Sequence, residues 1–456
     1  MKYKWMGWSI LALFLTLGLP AQGAVQSLSL QQALDLAARQ NLDLILASNS
    51  YEAEAIQFDN AWRQFWLPNV SLSAYSAQGL TLGGYPGTPA TQLLPSGRNT
   101  GFPQYGIGLN LGSYTLFNFF RDRIAYDNAD LSFKRAAQVL EETRRSVNFR
   151  IIGAYFLARL NQEKLEAAER SVEMAKTLVR LVKSRVPLGQ ATPTELSSVE
   201  VDANDALLQA NLLRADYESS ILNLNALLNQ NAEKQIRVTT PLTYKPVGMT
   251  YPQALEWFKD RSPSVRNSRL SQQLAQGNLE IAEKNRMPLP TLSFSGVSVN
   301  YGNRYAGGYT SYSNTNSSVQ AGNIELEASL SLTLPILGPG GLFGENTIRQ
   351  SRIQANNAEV RLQQALINGD LQIRSTLFQL QQLEDRIKTQ NQSFQSSAKL
   401  LEKVVEEMGS KKLGRLELRD AIDRSRNNEI DLLQDKYSYI TQKTSFYELI
   451  GKDWDE

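Results

Sequence analysis

Two aspartates near the start of the last predicted helix are the residues best placed for chemistry. Asp420 and Asp423 are three positions apart, so in a helix both carboxylates lie on one face. Such a pair attracts cations, or it acts as acid and base in an enzyme. The simpler interpretation is that both are solvated helix residues that pair with Arg419, Arg424 or Arg426.

Composition argues against an enzyme. The chain of 456 residues contains no His and no Cys. This excludes disulfides, imidazole or thiolate metal sites, Cys or His nucleophiles, and a lipid on an N-terminal Cys. The sequence has no phosphate-binding loop or nucleophile elbow, and the aspartate pair has no defined partner carboxylate across a cleft. We therefore predict a protein that is not an enzyme and that uses no cofactor and no bound metal.

The first residues, 1–23, have the pattern of an export signal. Lys2 and Lys4 precede an apolar run from Trp8 to Leu19, and small residues follow. The run has about a dozen residues, fewer than the roughly 18 that a spanning helix requires. We expect cleavage near Gly23, and a retained membrane anchor is the alternative.

The rest of the chain offers neither a long apolar helix nor a basic surface. No later segment reaches roughly 18 uninterrupted apolar residues, so a membrane crossing would require strands. Without the two lysines of the signal, the 47 basic residues become 45, equal to the 45 acidic ones. This balance gives no positive field for nucleic acid, which we exclude as a partner.

Nearly the whole mature chain consists of two similar repeats, with corresponding residues offset by roughly 222 to 226 positions. For example, Ala33-Leu34 returns as Ala254-Leu255. The predicted parts are a first repeat, an irregular connector and a second repeat, at 24–235, 236–249 and 250–456. The shared pattern predicts that both repeats contain the same kinds of elements.

Each repeat contains two stretches in which apolar and polar residues alternate, as in strands with one apolar face. The predicted strands lie at about 69–78, 104–115, 291–301 and 323–334. Their polar positions are Ser, Asn, Gly and Glu, which suits a water-filled lumen. The apolar positions change parity at Gly296, which predicts a β-bulge.

The longest predicted elements are helices with heptad spacing, which indicates coiled coils. In each repeat, a long helix, a Leu-Gly turn and a return helix form an antiparallel hairpin. The hairpins are predicted at about 118–230 and about 345–451. A helix from Asn118 to Ser184 would rise roughly 100 Å, at about 1.5 Å per residue. That length exceeds what a globular domain needs.

Four strands of about ten residues match a bilayer when tilted, but four strands cannot close into a barrel. An open sheet edge in lipid leaves backbone groups unpaired, at several kcal/mol each. Other copies of the chain must therefore complete the sheet. Two copies give eight strands and a filled interior, whereas three give twelve and a lumen. A soluble antiparallel sheet with one wet face is the alternative.

In this order, the elements resemble the TolC-like outer membrane efflux proteins. The motifs are Gln32-Ala33-Leu34 with Asn41, Leu67-Pro68, Leu116-Phe117-Asn118, the run from Pro335 to Gly344, and the duplicated Leu-Gly turns. The resemblance covers essentially the whole mature chain. It implies an α+β membrane protein: a homotrimer with a 12-stranded antiparallel β-barrel in the outer membrane, four strands per chain, continued by an α-helical coiled-coil barrel in the periplasm.

The resemblance also implies a function and partners. Such proteins are passive exit ducts of tripartite efflux or type I secretion systems, and they dock to a periplasmic adaptor (membrane fusion) protein and an inner-membrane transporter. Outer membrane lipids would surround the barrel. The absence of Cys departs from the lipidated branch of the family. The alternative is a periplasmic coiled-coil scaffold or adaptor without a channel, which leaves four amphipathic strands unexplained.

The resemblance assigns the aspartate pair to a periplasmic gate. In the family, two aspartates follow the tip glycine by six and nine residues. Here Gly414 is followed at that spacing by Asp420 and Asp423. Three protomers would then bring six carboxylates around one axis and attract cations.

Two further sites at the hairpin tips follow from the same resemblance. A latch that holds the mouth closed would use Glu195 with Lys411, and Arg415 as a displaced candidate because the basic latch position is Leu416. The adaptor would dock on the tip residues, which are Leu188, Gly189, Leu413 and Gly414. The alternative for the Leu-Gly pairs is an ordinary turn between helices.

Overall fold

The structure is a computed structural model that describes most of the chain. The described residues are 26–67, 70–78, 103–110, 112–118, 120–286, 290–304, 320–334, 345–409 and 415–454. The chain divides into two compact units. The first, which we call the helical unit, comprises Met1–Leu46, Glu142–Phe258 and Asp370–Glu456; the second, the sheet unit, comprises Ala47–Glu141 and Lys259–Gly369.

Helices account for most of the described residues. They are α1 (Leu30–Gln40), α2 (Leu42–Trp66), α3 (Arg121–Arg185), α4 (Pro193–Leu227), α5 (Tyr251–Arg261), α6 (Pro263–Arg286), α7 (Glu345–Gly409) and α8 (Arg415–Ile450). The strands are β1 (Gln26–Leu28), β2 (Ser71–Gln78), β3 (Pro103–Asn110), β4 (Ser113–Phe117), β5 (Ile236–Val238), β6 (Thr291–Arg304) and β7 (Gln320–Thr333). None of the described helices is both long enough and apolar enough to cross a membrane.

The internal duplication is visible in the helix lengths. The long helices α3 and α7 have 65 residues each. The return helices α4 and α8 have 35 and 36 residues. Sustained heptad spacing explains why none of these four helices is interrupted, because each turn has an apolar position for packing.

The described strands of the sheet unit form one antiparallel sheet. Strand β6 pairs with β3 and β4 along one edge and with β7 along the other, and β2 pairs with β3. The second predicted strand is therefore two strands, β3 and β4. Both belong to one ladder, because Ser113 opposite Ser295 continues the register of Asn110 opposite Ser298. Gly112 lies at the break with a φ of 92°, a conformation that favours glycine.

The β-bulge predicted at Gly296 is confirmed. Strand β6 has one extra residue relative to β7 between Ser295 and Val297. The shift keeps apolar residues opposite apolar residues on both sides of the bulge. The opposed pairs include Leu292 with Leu332, Phe294 with Leu330, Val299 with Leu326, and Tyr301 with Ile324.

Helices α2 and α3 pack through aromatic rings in the sheet unit. The rings recur at heptad spacing, at Tyr51, Phe58 and Phe65 of α2 and at Tyr126 and Phe133 of α3. Neighbouring ring centroids lie 5.4 to 5.6 Å apart. This spacing is typical of favourable aromatic pairs and fixes the register of the two helices.

The connector between the repeats is more regular than predicted. It begins with β5, which pairs in parallel with β1, with Gln26 opposite Ile236 and Leu28 opposite Val238. Strands of three residues are too short to show an alternating pattern, so no sequence pattern predicts them.

Three tyrosine hydroxyls from the helical hairpins bind the connector. Tyr155 accepts hydrogen bonds from two successive backbone N–H groups, at Thr239 and Thr240. Tyr217 donates to the carbonyl oxygen of Ile236. Tyr439 of α8, in the second repeat, accepts from the N–H of Val247. The connector is therefore fixed to both repeats.

Candidate functional site at the hairpin tips

A hydrophobic cluster joins the two helical hairpins near their tips. Its buried members are Leu178 and Val182 of α3, Val199 of α4, Val404 of α7, and Leu418 and Ala421 of α8. Leu418 and Ala421 lie on either side of Asp420 in the sequence and are 6% and 3% exposed. Because they face the cluster, Asp420 lies on the exposed side of α8.

The two candidate gate aspartates have different surroundings. Asp423 is half-buried, with a carboxylate oxygen 3.1 Å from Nη2 of Arg426 and another 3.8 Å from Nε of Arg419. Asp420 is exposed and makes no ion pair or hydrogen bond with the described part of the chain. The pairing with arginines that the simpler interpretation predicts is thus present for Asp423 alone. The gate itself stays a prediction.

One ion pair at the tips was missed by sequence reasoning. Nη1 of Arg419 in α8 lies 2.7 Å from Oδ1 of Asp202 in α4, and the Asp202 side chain is only 12% exposed. The two residues are far apart in sequence, so no local spacing predicts that they form an ion pair. The available signal was that Asp202 follows Glu195 by one heptad and so lies on the same face of α4.

The predicted latch residue Glu195 has a local role in the structure. Its carboxylate accepts a hydrogen bond of 2.8 Å from the N–H of Thr192, and the Thr192 hydroxyl accepts one of 3.1 Å from the N–H of Glu195. This capping box closes the N-terminus of α4. Lys411 lies outside the described residues, and Arg415 begins α8 with a side chain that is not described. The latch stays a prediction.

The first tip is a well-formed helix end. A 3-10 turn over Val186–Leu188 follows α3, and Gly189 has a φ of 66°. The N–H of Gly189 donates to the carbonyl of Val186 and the N–H of Gln190 to that of Arg185, each at 3.0 Å. This is the Schellman motif, which requires a left-handed residue after the helix. Leu188 is 67% exposed. The second tip pair, Leu413 and Gly414, lies outside the described residues.

No metal centre accompanies these sites in the described residues. Within the ranges that the structure covers, no group of three or more acidic side chains is placed to hold a metal ion.

A comparison with known protein families identifies the family of this chain. The family model of the outer membrane efflux protein matches residues 27–230 and 254–452. The chain belongs to the outer membrane efflux protein family. The resemblance noted in the sequence is confirmed, and so is the predicted location in the outer membrane with the helical part in the periplasm. The family is one of efflux channels and not of enzymes.

Solved structures show the same fold as this outer membrane efflux protein. The Campylobacter jejuni CmeC outer membrane channel is 20% identical, with 94% of this chain and 87% of that chain covered and a TM-score of 0.73. The open state of the Neisseria gonorrhoeae MtrE outer membrane channel is 19% identical, with 93% and 89% covered and a TM-score of 0.74. A membrane protein from Pseudomonas aeruginosa is 17% identical, with 94% and 91% covered and a TM-score of 0.74. No curated protein matches the chain by sequence.

Proposed function

We propose that this outer membrane efflux protein is a homotrimeric channel that acts as the passive exit duct of a tripartite efflux or type I secretion system. The proposal rests on the backbone pairing of the two strands at the edges of the sheet. Within the described residues, β2 pairs with β3 alone and β7 pairs with β6 alone. In lipid, unpaired backbone groups along two strand edges cost several kcal/mol each, so sister subunits must supply the pairing.

The surface of the sheet suits lipid on one side. Leu72, Leu330 and Leu332 are 73%, 64% and 68% exposed. Between the last two, Ser331 alternates with them, and its hydroxyl oxygen lies 2.9 Å from that of Ser293. An apolar face exposed to lipid and a polar face toward water are the pattern of a transmembrane barrel.

The helices also expose apolar stripes that need partners. On α7 the exposed residues recur at intervals of seven or four, at Ile353, Val360, Ile367, Leu371 and Phe378. On α4 a similar stripe consists of Val201, Leu208 and Leu212. Heptad stripes of this kind form the seams of coiled coils, and other copies of the chain would cover them.

Barrel geometry favours three copies. A pair of chains would make eight strands, whose interior is filled by side chains, whereas three chains would make twelve strands around a lumen. A helical barrel of three hairpin pairs would continue that lumen into the periplasm. Of these two assemblies, the trimer is the one with a lumen through which export could occur.

The tips are the proposed contact with a periplasmic adaptor protein and, through it, with an inner-membrane transporter. Leu188 is exposed and Gly189 has no side chain, so a partner backbone can approach closely. Nearby in the helical unit is a groove of about 940 Å³. Its apolar lining consists of Met174, Leu178, Leu181, Val405, Leu418 and Ile422. An exposed apolar groove of this size suits a partner helix.

We also propose that the aspartates act as the gate of the duct. Three protomers would bring six carboxylates around the axis, and that concentration of negative charge would attract cations to the mouth. Because Asp423 is paired with two arginines, Asp420 would contribute most of the uncompensated charge. The remaining latch candidates, Glu195, Lys411 and Arg415, would act beside the gate.

The direct test is the mass and conductance of the purified full chain in detergent. A particle of three chains that forms single channels in a planar bilayer is expected. A stable monomer that needs no detergent would refute the duct. Recovery in the soluble periplasmic fraction without conductance would favour the alternative of a coiled-coil scaffold.

A further inference from the structure

The groove beside the first hairpin tip has a cation at one end that the described chain does not neutralise. This groove of about 940 Å³ lies between α3 and the second hairpin, and we call it the tip groove. Arg185, the last residue of α3, lines it and is partly buried. Within the described residues, its guanidinium makes no ion pair or hydrogen bond. A cation that is partly removed from water without a partner is costly, so an anion fits beside it.

The other charged residues of the tip groove are already compensated. Each has an ion-pair partner in the chain: Glu166 with Arg237, Glu169 with Arg214, Arg170 with Glu429, and Glu173 with Lys176. All of them precede Arg185 on α3, and the nearest in sequence, Glu173, is about 18 Å from it along the helix, at about 1.5 Å per residue. That separation exceeds the Debye length of about 8 Å at physiological ionic strength, so these carboxylates repel an anion at Arg185 only weakly.

Between Arg185 and these paired charges, the lining of the tip groove is largely apolar. It consists of Met174, Leu178 and Leu181 of α3 with Val405, Leu418 and Ile422 of the second hairpin. Sites for small organic molecules are typically concave, have volumes of about 300 to 1,000 Å³, and combine an apolar lining with a few polar groups that fix the orientation of the ligand. The tip groove has this composition, and Arg185 is the group that can fix the orientation.

We propose that the tip groove binds a small amphipathic anion, an organic molecule with an apolar body and one carboxylate, sulfonate or phosphate head. The head pairs with Arg185 at the tip end, and the body lies along α3 toward Met174. This site goes beyond the duct function, because all of its lining residues belong to one chain and binding needs no channel. A bound anion occupies the groove proposed above for a partner helix, so the two would compete.

Two probes with the same aromatic body isolate the contribution of the head. They are anilinonaphthalene sulfonate and phenylnaphthylamine, which lacks the sulfonate, and both fluoresce more strongly in apolar surroundings. The sample is the full chain in lipid nanodiscs without free detergent, and empty nanodiscs give the background. We expect saturable binding of the sulfonate probe that inorganic sulfate does not displace, because the apolar body contributes to the affinity.

Three variants assign the binding to the tip groove. Arg185→Gln should weaken binding of the sulfonate probe about tenfold, because a charge-assisted pair is lost, and should leave phenylnaphthylamine binding unchanged. Lys183→Gln removes the same charge from a nearby exposed position outside the groove and should change neither affinity. Met174→Gln should weaken binding of both probes, because both lose apolar contact.

Three results would overturn the proposal. These are no saturable binding above empty nanodiscs, equal effects of Arg185→Gln and Lys183→Gln on the sulfonate probe, or a groove that a sister subunit covers. The last would appear as much slower maleimide labelling of Met174→Cys than of Ser219→Cys, an exposed position of α4, in a chain with no other thiol. Particle mass is measured on the same samples, so a failure to form trimers is distinguished from a failure to bind the anion.

Discussion

Nη1 of Arg419 lies 2.7 Å from Oδ1 of Asp202, and this ion pair joins α8 of the second hairpin to α4 of the first. Nε of Arg419 is also 3.8 Å from a carboxylate oxygen of Asp423. One guanidinium therefore connects the first hairpin to a candidate gate residue. Arg419 is 45% exposed, whereas Asp202 is largely buried, so the aspartate depends more on the contact.

Removing the guanidinium should loosen the tip. Arg419→Ala takes a charged partner from the largely buried Asp202 carboxylate, and we expect a loss of about 1–3 kcal/mol of unfolding free energy. Single-channel conductance should rise, because the two hairpins are no longer tied. Arg424→Ala, at an exposed position of the same helix, is the matched control. Equal effects of the two variants on the thermal midpoint and on conductance would show that the ion pair has no special role.

The two candidate gate aspartates should differ in their effect on cation block. Asp420→Ala removes a carboxylate without an ion pair in the described chain, whereas Asp423→Ala removes one that two arginines already compensate. We expect the first variant to weaken block by a trivalent cation more than the second, with the trimer intact in both. The measurement is block against cation concentration in a planar bilayer. If a variant with both aspartates changed to Ala showed unchanged cation block, the two aspartates would not be the gate.

Substitutions at Gly189 in the first tip distinguish the effect of backbone strain from the effect of contact with a partner. Gly189→Ala places a Cβ at a φ of 66°, which should cost about 1 kcal/mol of stability, whereas Gly189→Asn tolerates this conformation better. No heavy atom lies within 4 Å of an added Cβ, so no clash contributes. Urea unfolding checks this order.

If the tip docks an adaptor, Gly189→Asn and Leu188→Asp should keep the trimer mass and conductance but reduce site-specific crosslinking of the tip to the adaptor in cells. Crosslinking at the wild-type level in both variants would leave Leu188 and Gly189 with the role of a turn.

The buried hydroxyl of Tyr439 predicts a pH dependence of stability. It donates to Glu384 at 2.8 Å and accepts from the N–H of Val247 at 2.9 Å. Burial, followed by the bond to Glu384, raises the pKa of Tyr439 above its ordinary value of 10.0. The folded chain therefore holds this proton at pH values where the unfolded chain releases it. Stability from this group is complete below about pH 10 and falls as the pH rises further.

Thermal melts between pH 8 and 11 test this. The wild type should lose stability above pH 10 more steeply than Tyr439→Phe, and at neutral pH that variant should be less stable by roughly 1–3 kcal/mol, because Glu384 and Val247 lose a partner. Tyr437→Phe, two residues away, is the control. Parallel pH curves for wild type and Tyr439→Phe would be inconsistent with this role.

Features that depend on local spacing were predictable from the sequence. The heptad positions predict the long helices, the Leu-Gly pair at Gly189 predicts the first turn, and the parity change at Gly296 predicts the bulge. In each case the physical cause acts within a few residues of the signal, through helix periodicity, glycine conformation or strand alternation.

Features that depend on distant partners were not predictable. The β1–β5 pair joins a segment at the start of the first repeat to the start of the connector, and the bond of Asp202 to Arg419 joins two hairpins. The interruption at Gly112 lies inside a stretch that keeps its alternation, so one continuous strand was expected. The capping box of Thr192 with Glu195 is, by contrast, a local feature that sequence reasoning missed, and the latch role of Glu195 stays a prediction.

Cysteine crosslinking can show whether sister subunits pair with the outer edges of β2 and β7, as the proposed barrel requires. The chain has no Cys, so every disulfide forms between introduced residues. Cys at Ser71 of β2 is combined in turn with Cys at Ser329, Ser331 or Thr333 of β7. A Ser293→Cys, Ser331→Cys pair is the positive control, because those hydroxyls are 2.9 Å apart within one chain.

We expect at least one β2–β7 pair to give covalent dimers and trimers, but nothing larger, on a non-reducing gel, while the control pair crosslinks without a change in mass. If every β2–β7 pair stayed monomeric while the control pair crosslinked, sister subunits would not complete the sheet, and the proposed duct would be contradicted.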